Sequence, residues 1–213
     1  MNAGSPTPIA RLMLVTPPLE AAGGFDASLT EAMDPAEIAA VLMRLSDGAE
    51  REQINVIKTL AKIVQSRDGA LILDNAPELA ARSGADGAHL TGIEAFEQCV
   101  DSLKPDRIAG AGGLMSRHDA MLAAERNADY VMFGEPEADG RRPAIDSIVE
   151  RVEWWSEVFQ TPCVAYAAQI EEIELLVKAG ADFVALDPAI WTARPRAAIF
   201  DAAARLQLLE RTE

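Results

Sequence analysis

The chain has 213 residues, 49% of them hydrophobic and 5% aromatic, which suffices for one sizeable core and a single α/β domain. Nineteen basic against thirty-four acidic residues leave a net charge of −15, which excludes a broad surface for nucleic acid or anionic membrane while leaving room for a local basic pocket. No stretch reaches the ~18 consecutive apolar residues that a membrane helix needs.

In chain order, "MNAGSPTPIA" lacks both a cationic leader and a long apolar run, so residues 1–10 are expected to form a disordered tail and 11–213 one domain. Short apolar runs then recur at "RLMLV" (11–15), "AAVLMRL" (39–45), "ALILD" (70–74), "GAHL" (87–90), "RIAGA" (107–111), "YVMF" (130–133), "CVAYA" (163–167) and "FVAL" (183–186). Helical patterns such as "REQINVIKTLAKIVQS" (51–66) and "SRHDAMLAAERN" (116–127) separate most of them, with apolar residues at three- and four-residue spacing. Residues 17–37 and 135–143 read as loops, and the helix within 90–106 as a short one. The cysteines, Cys99 and Cys163, sit apart in apolar surroundings, as expected of reduced thiols in a cytoplasmic protein.

Three segments share one grammar: "AARSGADGAHL" (80–90), "AAERNADYVMF" (123–133) and "LVKAGADFVAL" (176–186). Each ends an amphipathic helix at Gly84, Asn127 or Gly180, residues that tolerate the left-handed conformation, and turns at once into an apolar strand. Strands apolar on both faces and alternating with helices imply a parallel sheet covered by helices, and eight of them imply closure into a (β/α)8 TIM barrel. An open doubly wound sheet would carry a glycine fingerprint after its first strand. Here "TPPLEAAGG" places Pro17 and Pro18 instead.

In a barrel the chemistry sits at the C-terminal strand ends, which directs attention to Thr16, Arg44, Ser46, Asp74, Asn75, Thr91, Glu94, Gly110 to Gly113, Gly134, Glu135, Tyr166 to Gln169, Asp187 and Pro188. The blocks "LILDNAPELAARSGADGAHLTG", "IAGAGGLMSRHDAMLAAERNADYVMFGEPE" and "PCVAYAAQIEEIELLVKAGADFVALDPAI" resemble, in order and spacing, the core blocks of the thiamine phosphate synthase/TenI family. The resemblance runs from about residue 41 to Ile190. It implies a transferase of thiamine biosynthesis that joins an aminopyrimidine pyrophosphate to a thiazole phosphate with the help of Mg2+, expelling pyrophosphate.

Carried over position by position, the family's Gln, Arg and Lys of the second strand become Leu42, Arg44 and Ser46, and its Asn-Asp after the third strand becomes Asp74 and Asn75. The resemblance thus makes Arg44, Asn75 and Arg142 the catalytic candidates and Asp74 and Glu94 the magnesium ligands. Substrate-binding positions fall at His89, Gly112, Gly134, Tyr166, Ala167, Ala168 and Asp187. Gly112 stands where the family has a serine, and Ala167 and Ala168 where it has two glycines. Pro188 replaces a serine and has no N–H to donate. Leu114 occupies the place of the histidine used by the family's thiazole tautomerases, and His118 a solvent-facing position one turn on. These departures imply an activity weakened or lost, or alternatively a non-catalytic barrel for an unphosphorylated or cationic thiamine-related ligand. The expected partner is a small molecule, with no nucleic acid or membrane and a homodimer left open.

Each position also has a plainer reading. Arg44 reads equally as an anion clamp or as a strand-end arginine paired with Asp74 or Glu94. Asp74 and Asn75 read as caps of the helix starting at Pro77, His89 as a satisfied core histidine, and Tyr166 as core filler. Trp154, Trp155 and Trp191 read as packing residues.

Overall fold

The structure, a computed structural model, describes residues 10–137, 139–192 and 194–210. Residues 1–9, the bulk of the expected tail, lie outside the described residues, and Ala10 is buried. The strands are β1 (Arg11–Val15), β2 (Ile38–Met43), β3 (Ala70–Asp74), β4 (Gly87–Thr91), β5 (Ile108–Gly112), β6 (Tyr130–Phe133), β7 (Cys163–Ala167) and β8 (Phe183–Leu186). They pair in parallel in chain order, and β8 closes onto β1. Around them lie α1 (Phe25–Met33), α2 (Glu50–Gln65), α3 (Pro77–Ser83), α4 (Ile93–Leu103), α5 (Arg117–Glu125), α6 (Ile145–Val158), α7 (Ile173–Lys178) and α8 (Pro195–Glu210). This is the expected (β/α)8 barrel.

Strand alternation divides the apolar residues between two cores. Met13, Val15, Leu42, Ile72, Tyr130, Met132, Val164, Tyr166 and Ala185 fill the barrel interior. Their strand neighbours, among them Leu12, Leu14, Val41, Leu71, Val131 and Val184, pack outward against the helices.

The repeated helix-to-strand grammar has a structural cause in each of its letters. Gly84, Asn127 and Gly180 adopt φ of 82°, 63° and 95°, turning the chain off the helix. The following Ala85, Ala128 and Ala181 are buried. Then Asp86, Asp129 and Asp182 accept the N–H of Leu71, Ala109 and Cys163 at 2.7, 2.7 and 2.8 Å. Each aspartate thereby ties its own strand to the start of the one before it.

Three expectations need correction. The 17–37 stretch contains α1, with Leu29, Ala32 and Met33 buried beneath it. The helix within 90–106 spans eleven residues and buries Phe96, Val100 and Leu103. Asp74 and Asn75 do not cap α3: its N-cap is Ala76, with no side-chain bond, and Asn75 itself turns left-handed at φ 51°.

Candidate functional site

The strand ends form a mouth in which four groups of side chains meet. On the first side, Thr16 of the β1 end is 1% exposed, and its hydroxyl accepts the Arg44 N–H at 3.0 Å. The Arg44 guanidinium turns to Asp74, with Nε donating to Oδ2 at 3.2 Å. The other carboxylate oxygen of Asp74 accepts from the Asn75 amide at 2.9 Å, and the same amide donates to the Thr91 hydroxyl at 3.0 Å. The Thr91 N–H returns to Asn75 Oδ1 at 2.9 Å. Arg44 therefore takes up its paired role, and Asn75 staples β3 to β4.

His89 lies in the interior, in register with Asp74, and is completely buried. Its Nδ1 meets the Tyr130 hydroxyl at 3.0 Å and its Nε2 meets Glu135 Oε1 at 2.9 Å. Burial pulls the His89 pKa down, but the Glu135 carboxylate beside it and then Asp74 outweigh that and hold it above the ordinary 6.5. Burial likewise pushes the Tyr130 hydroxyl well up. The second oxygen of Glu135 accepts the Gly113 N–H at 2.8 Å. Gly112 makes the arrangement possible, because a Cβ there would stand 2.2 Å from Glu135 Oε2 and 2.4 Å from His89 Nε2. The side chain that Gly112 lacks is thus replaced in space by a carboxylate from the next strand end.

On the opposite side, Arg142 reaches inward from the loop after β6. Its Nε donates to the Gly134 carbonyl at 3.0 Å, Nη2 to the Tyr166 carbonyl at 2.6 Å, and Nη1 to Glu172 Oε1 at 2.8 Å. The other oxygen of Glu172 accepts the Ala168 N–H at 2.8 Å. Tyr166 fills the barrel, 1% exposed, and donates its hydroxyl to Asp187 Oδ2 at 2.6 Å; burial, and after it the bond to Asp187, drives the phenol pKa upward. Asp187 Oδ1 accepts the Ala189 N–H at 2.7 Å, just past the N–H-less Pro188. Ala167 is buried, and a cavity of about 510 Å3 opens beside Ala168, Asp187 and Ile190.

One pattern unites these contacts. Backbone N–H groups of Gly113, Ala168 and Ala189, each just past a strand end, donate to Glu135, Glu172 and Asp187 of the same chain. Such N–H groups are what a phosphate would ordinarily engage. Glu172, in the 3₁₀ turn Ile170–Glu172, was not singled out from the sequence, where "QIEEIELL" reads as an exposed, acidic first helical turn. Glu135 stands out in the sequence only as a strand-end residue, and Tyr130 only as part of a strand.

The magnesium ligands implied by the resemblance do not fit a ready metal site. Both oxygens of Asp74 are engaged, Glu94 is exposed on the first turn of α4, and among the described residues no three His, Cys, Asp or Glu side chains are grouped to hold a metal ion. His118 is exposed and Leu114 buried. Trp155 packs on Phe133 and Phe159, and Trp191 packs on Phe25 and donates to the Val15 carbonyl, so both serve the scaffold. No helix among the described residues is long and apolar enough to cross a membrane.

Comparison with known proteins bears on the family and the fold. The family model described as thiamine monophosphate synthase (TMP-TENI) matches residues 12–190. A thiamine-phosphate synthase of Rhodospirillum centenum is 38% identical over 196 residues, covering 90% of this chain and 95% of its own. A thiamine-phosphate synthase of Erythrobacter litoralis is 31% identical, covering 91% and 94%. Among solved structures, a thiamine phosphate pyrophosphorylase from Pyrococcus furiosus shares the fold with a TM-score of 0.76 at 23% identity, over 93% of this chain and 96% of that one.

Proposed function

The chain belongs to the thiamine monophosphate synthase family, and from that membership we propose that it serves thiamine biosynthesis as a synthase-type barrel whose joining reaction is weakened. The reaction would couple a hydroxymethylpyrimidine pyrophosphate to a thiazole phosphate, with pyrophosphate as leaving group. Arg44 and Arg142 are the cations that would face these anions. Asn75 and Thr91 shape one wall, and Tyr166, Ala167, Ala168 and Asp187 shape the other, with His89, Gly112 and Gly134 between them.

The single observation supporting weakened turnover is that Gly113, Ala168 and Ala189 already donate to carboxylates of the chain itself. A substrate phosphate must displace those carboxylates and meet their charge. Losing a hydrogen bond to a charged group costs about 1.5–3 kcal/mol, so even one such exchange lowers affinity or rate by about tenfold or more. Arg44 and Arg142 add little pull toward an anion while Asp74 and Glu172 hold them.

A coupled assay with both precursors and Mg2+, run beside the Rhodospirillum centenum relative, tests this. Turnover at least about tenfold below that relative is expected from one lost exchange of this size. Equal turnover would show that the internal carboxylates offer no obstacle.

The acidic lining of Glu135, Glu172 and Asp187 also favours a second reading, a non-catalytic barrel for an unphosphorylated or cationic thiamine-related ligand. Thermal-shift screening separates the two readings. Stabilisation by uncharged or cationic compounds alone supports the binder, and stabilisation by a pyrophosphate with Mg2+ supports the synthase.

A further inference from the structure

We propose that Glu172 is a specificity-determining residue, an internal competitor that occupies the donors of Arg142 and Ala168 and so sets how strongly this barrel rejects a phosphomonoester. The inference rests on the reading above that the ends of β7 and β8 face a phosphate-bearing substrate.

The geometry carries it in three steps. First, the Glu172 carboxylate bridges two donors, taking Arg142 Nη1 on one oxygen and the Ala168 N–H on the other, both at 2.8 Å. Two oxygens of a phosphate would make the same pair of contacts, at the short distances of charge-assisted bonds.

Second, Arg142 does not depend on Glu172 for its position. Its Nε is held by the Gly134 carbonyl at 3.0 Å and its Nη2 by the Tyr166 carbonyl at 2.6 Å. Taking away the Glu172 charge therefore leaves a guanidinium already aimed, beside the Ala168 N–H that Glu172 occupies. A preorganised donor pair binds more tightly because little ordering cost remains.

Third, the arrangement is sheltered yet reachable. The side chains of Arg142 and Glu172 are 15% and 18% exposed, so their charges are only partly screened, and Ala168 also borders a cavity of about 510 Å3. With Glu172 in place, an arriving dianion meets a cation that is already neutralised, while Asp187, which also borders that cavity, is occupied by the Tyr166 hydroxyl and the Ala189 N–H. The neutral side chain of Glu172→Gln keeps the size and removes the repulsion.

Calorimetric titration of inorganic phosphate into the full chain tests the assignment. Glu172→Gln should bind phosphate about tenfold or more tightly than the wild type. The double variant Arg142→Ala/Glu172→Gln should lose that gain. If Glu172→Gln does not fold, Glu172→Ala is titrated in its place, with a gain again expected. Equal phosphate affinity in wild type and the folded Glu172 variant overturns the proposal, as does a gain that survives removal of Arg142. Because phosphate binding requires no turnover, this outcome is independent of the coupled assay. A fully active wild type would sink the weakened-synthase reading and leave the Glu172 result to stand or fall by itself.

Discussion

Gly112 shows how one missing side chain organises a neighbourhood. The space above it holds the contact between His89 and Glu135, so Gly112→Ala must push the carboxylate off the Gly113 N–H or tilt the imidazole. Overpacking of this kind costs about 1–3 kcal/mol, measurable as a lowered urea midpoint with unchanged slope. The same contact makes part of the stability pH-dependent. A histidine whose folded pKa lies above its unfolded value contributes stability in full below that unfolded value, and loses it as pH rises through the folded pKa. His89 is such a group, raised above 6.5 by Glu135 and Asp74 against the pull of burial. The stability advantage of wild type over Glu135→Gln should therefore be largest below pH 6.5 and shrink as the pH climbs beyond it. Denaturation curves of both proteins across that range check the sign, and an advantage that grows with pH would contradict it.

Among the elements, α5 is the one whose start was written most plainly. Ser116 accepts the Asp119 N–H at 3.1 Å while Asp119 accepts the Ser116 N–H at 2.9 Å, a capping box. Ser116→Ala should cost about 1 kcal/mol, read from chemical denaturation. The strand-linking aspartates should matter more than such a surface cap. Asp182 receives the Cys163 N–H at the start of β7, where Cys163 is fully buried and burial raises its thiol pKa to about 12. Asp182→Ala leaves that N–H without its acceptor and should cost about 1–3 kcal/mol, seen as a lowered thermal midpoint. α1 was harder to foresee because Pro17, Pro18, Gly23, Gly24 and Pro35 crowd its flanks, and its N-cap Gly24 makes no side-chain bond. The cap expected from Asp74 and Asn75 failed for a different reason. Arg44 and Thr91, distant in the chain, offered those side chains stronger partners than the first turn of α3.

For the molecule as a whole, closure of β8 onto β1 brings the mouth groups into one ring, and it also explains why an acidic chain can hold arginines there. Arg44 and Arg142 are each met by a carboxylate from elsewhere at the mouth, so both cations are already paired before any ligand arrives. Because Asp74 has both oxygens engaged, millimolar Mg2+ without a phosphorylated ligand should leave the thermal midpoint unchanged, and a clear rise would show that Asp74 gives up Arg44 to the metal. The eight strands, the left-handed turns at Gly84, Asn127 and Gly180 and the barrel itself were legible along the chain, because they rest on local periodicity and on backbone preferences of single residues. The family was legible in ordered blocks of the same kind. What no local pattern carried was the choice of partners: Glu135 for His89 across 46 residues, and Glu172 for Arg142 across 30. Those pairings exist only once register and closure have set which strand ends face each other, and a carboxylate on a surface helical turn differs in no local respect from one that bridges an arginine and a strand-end N–H.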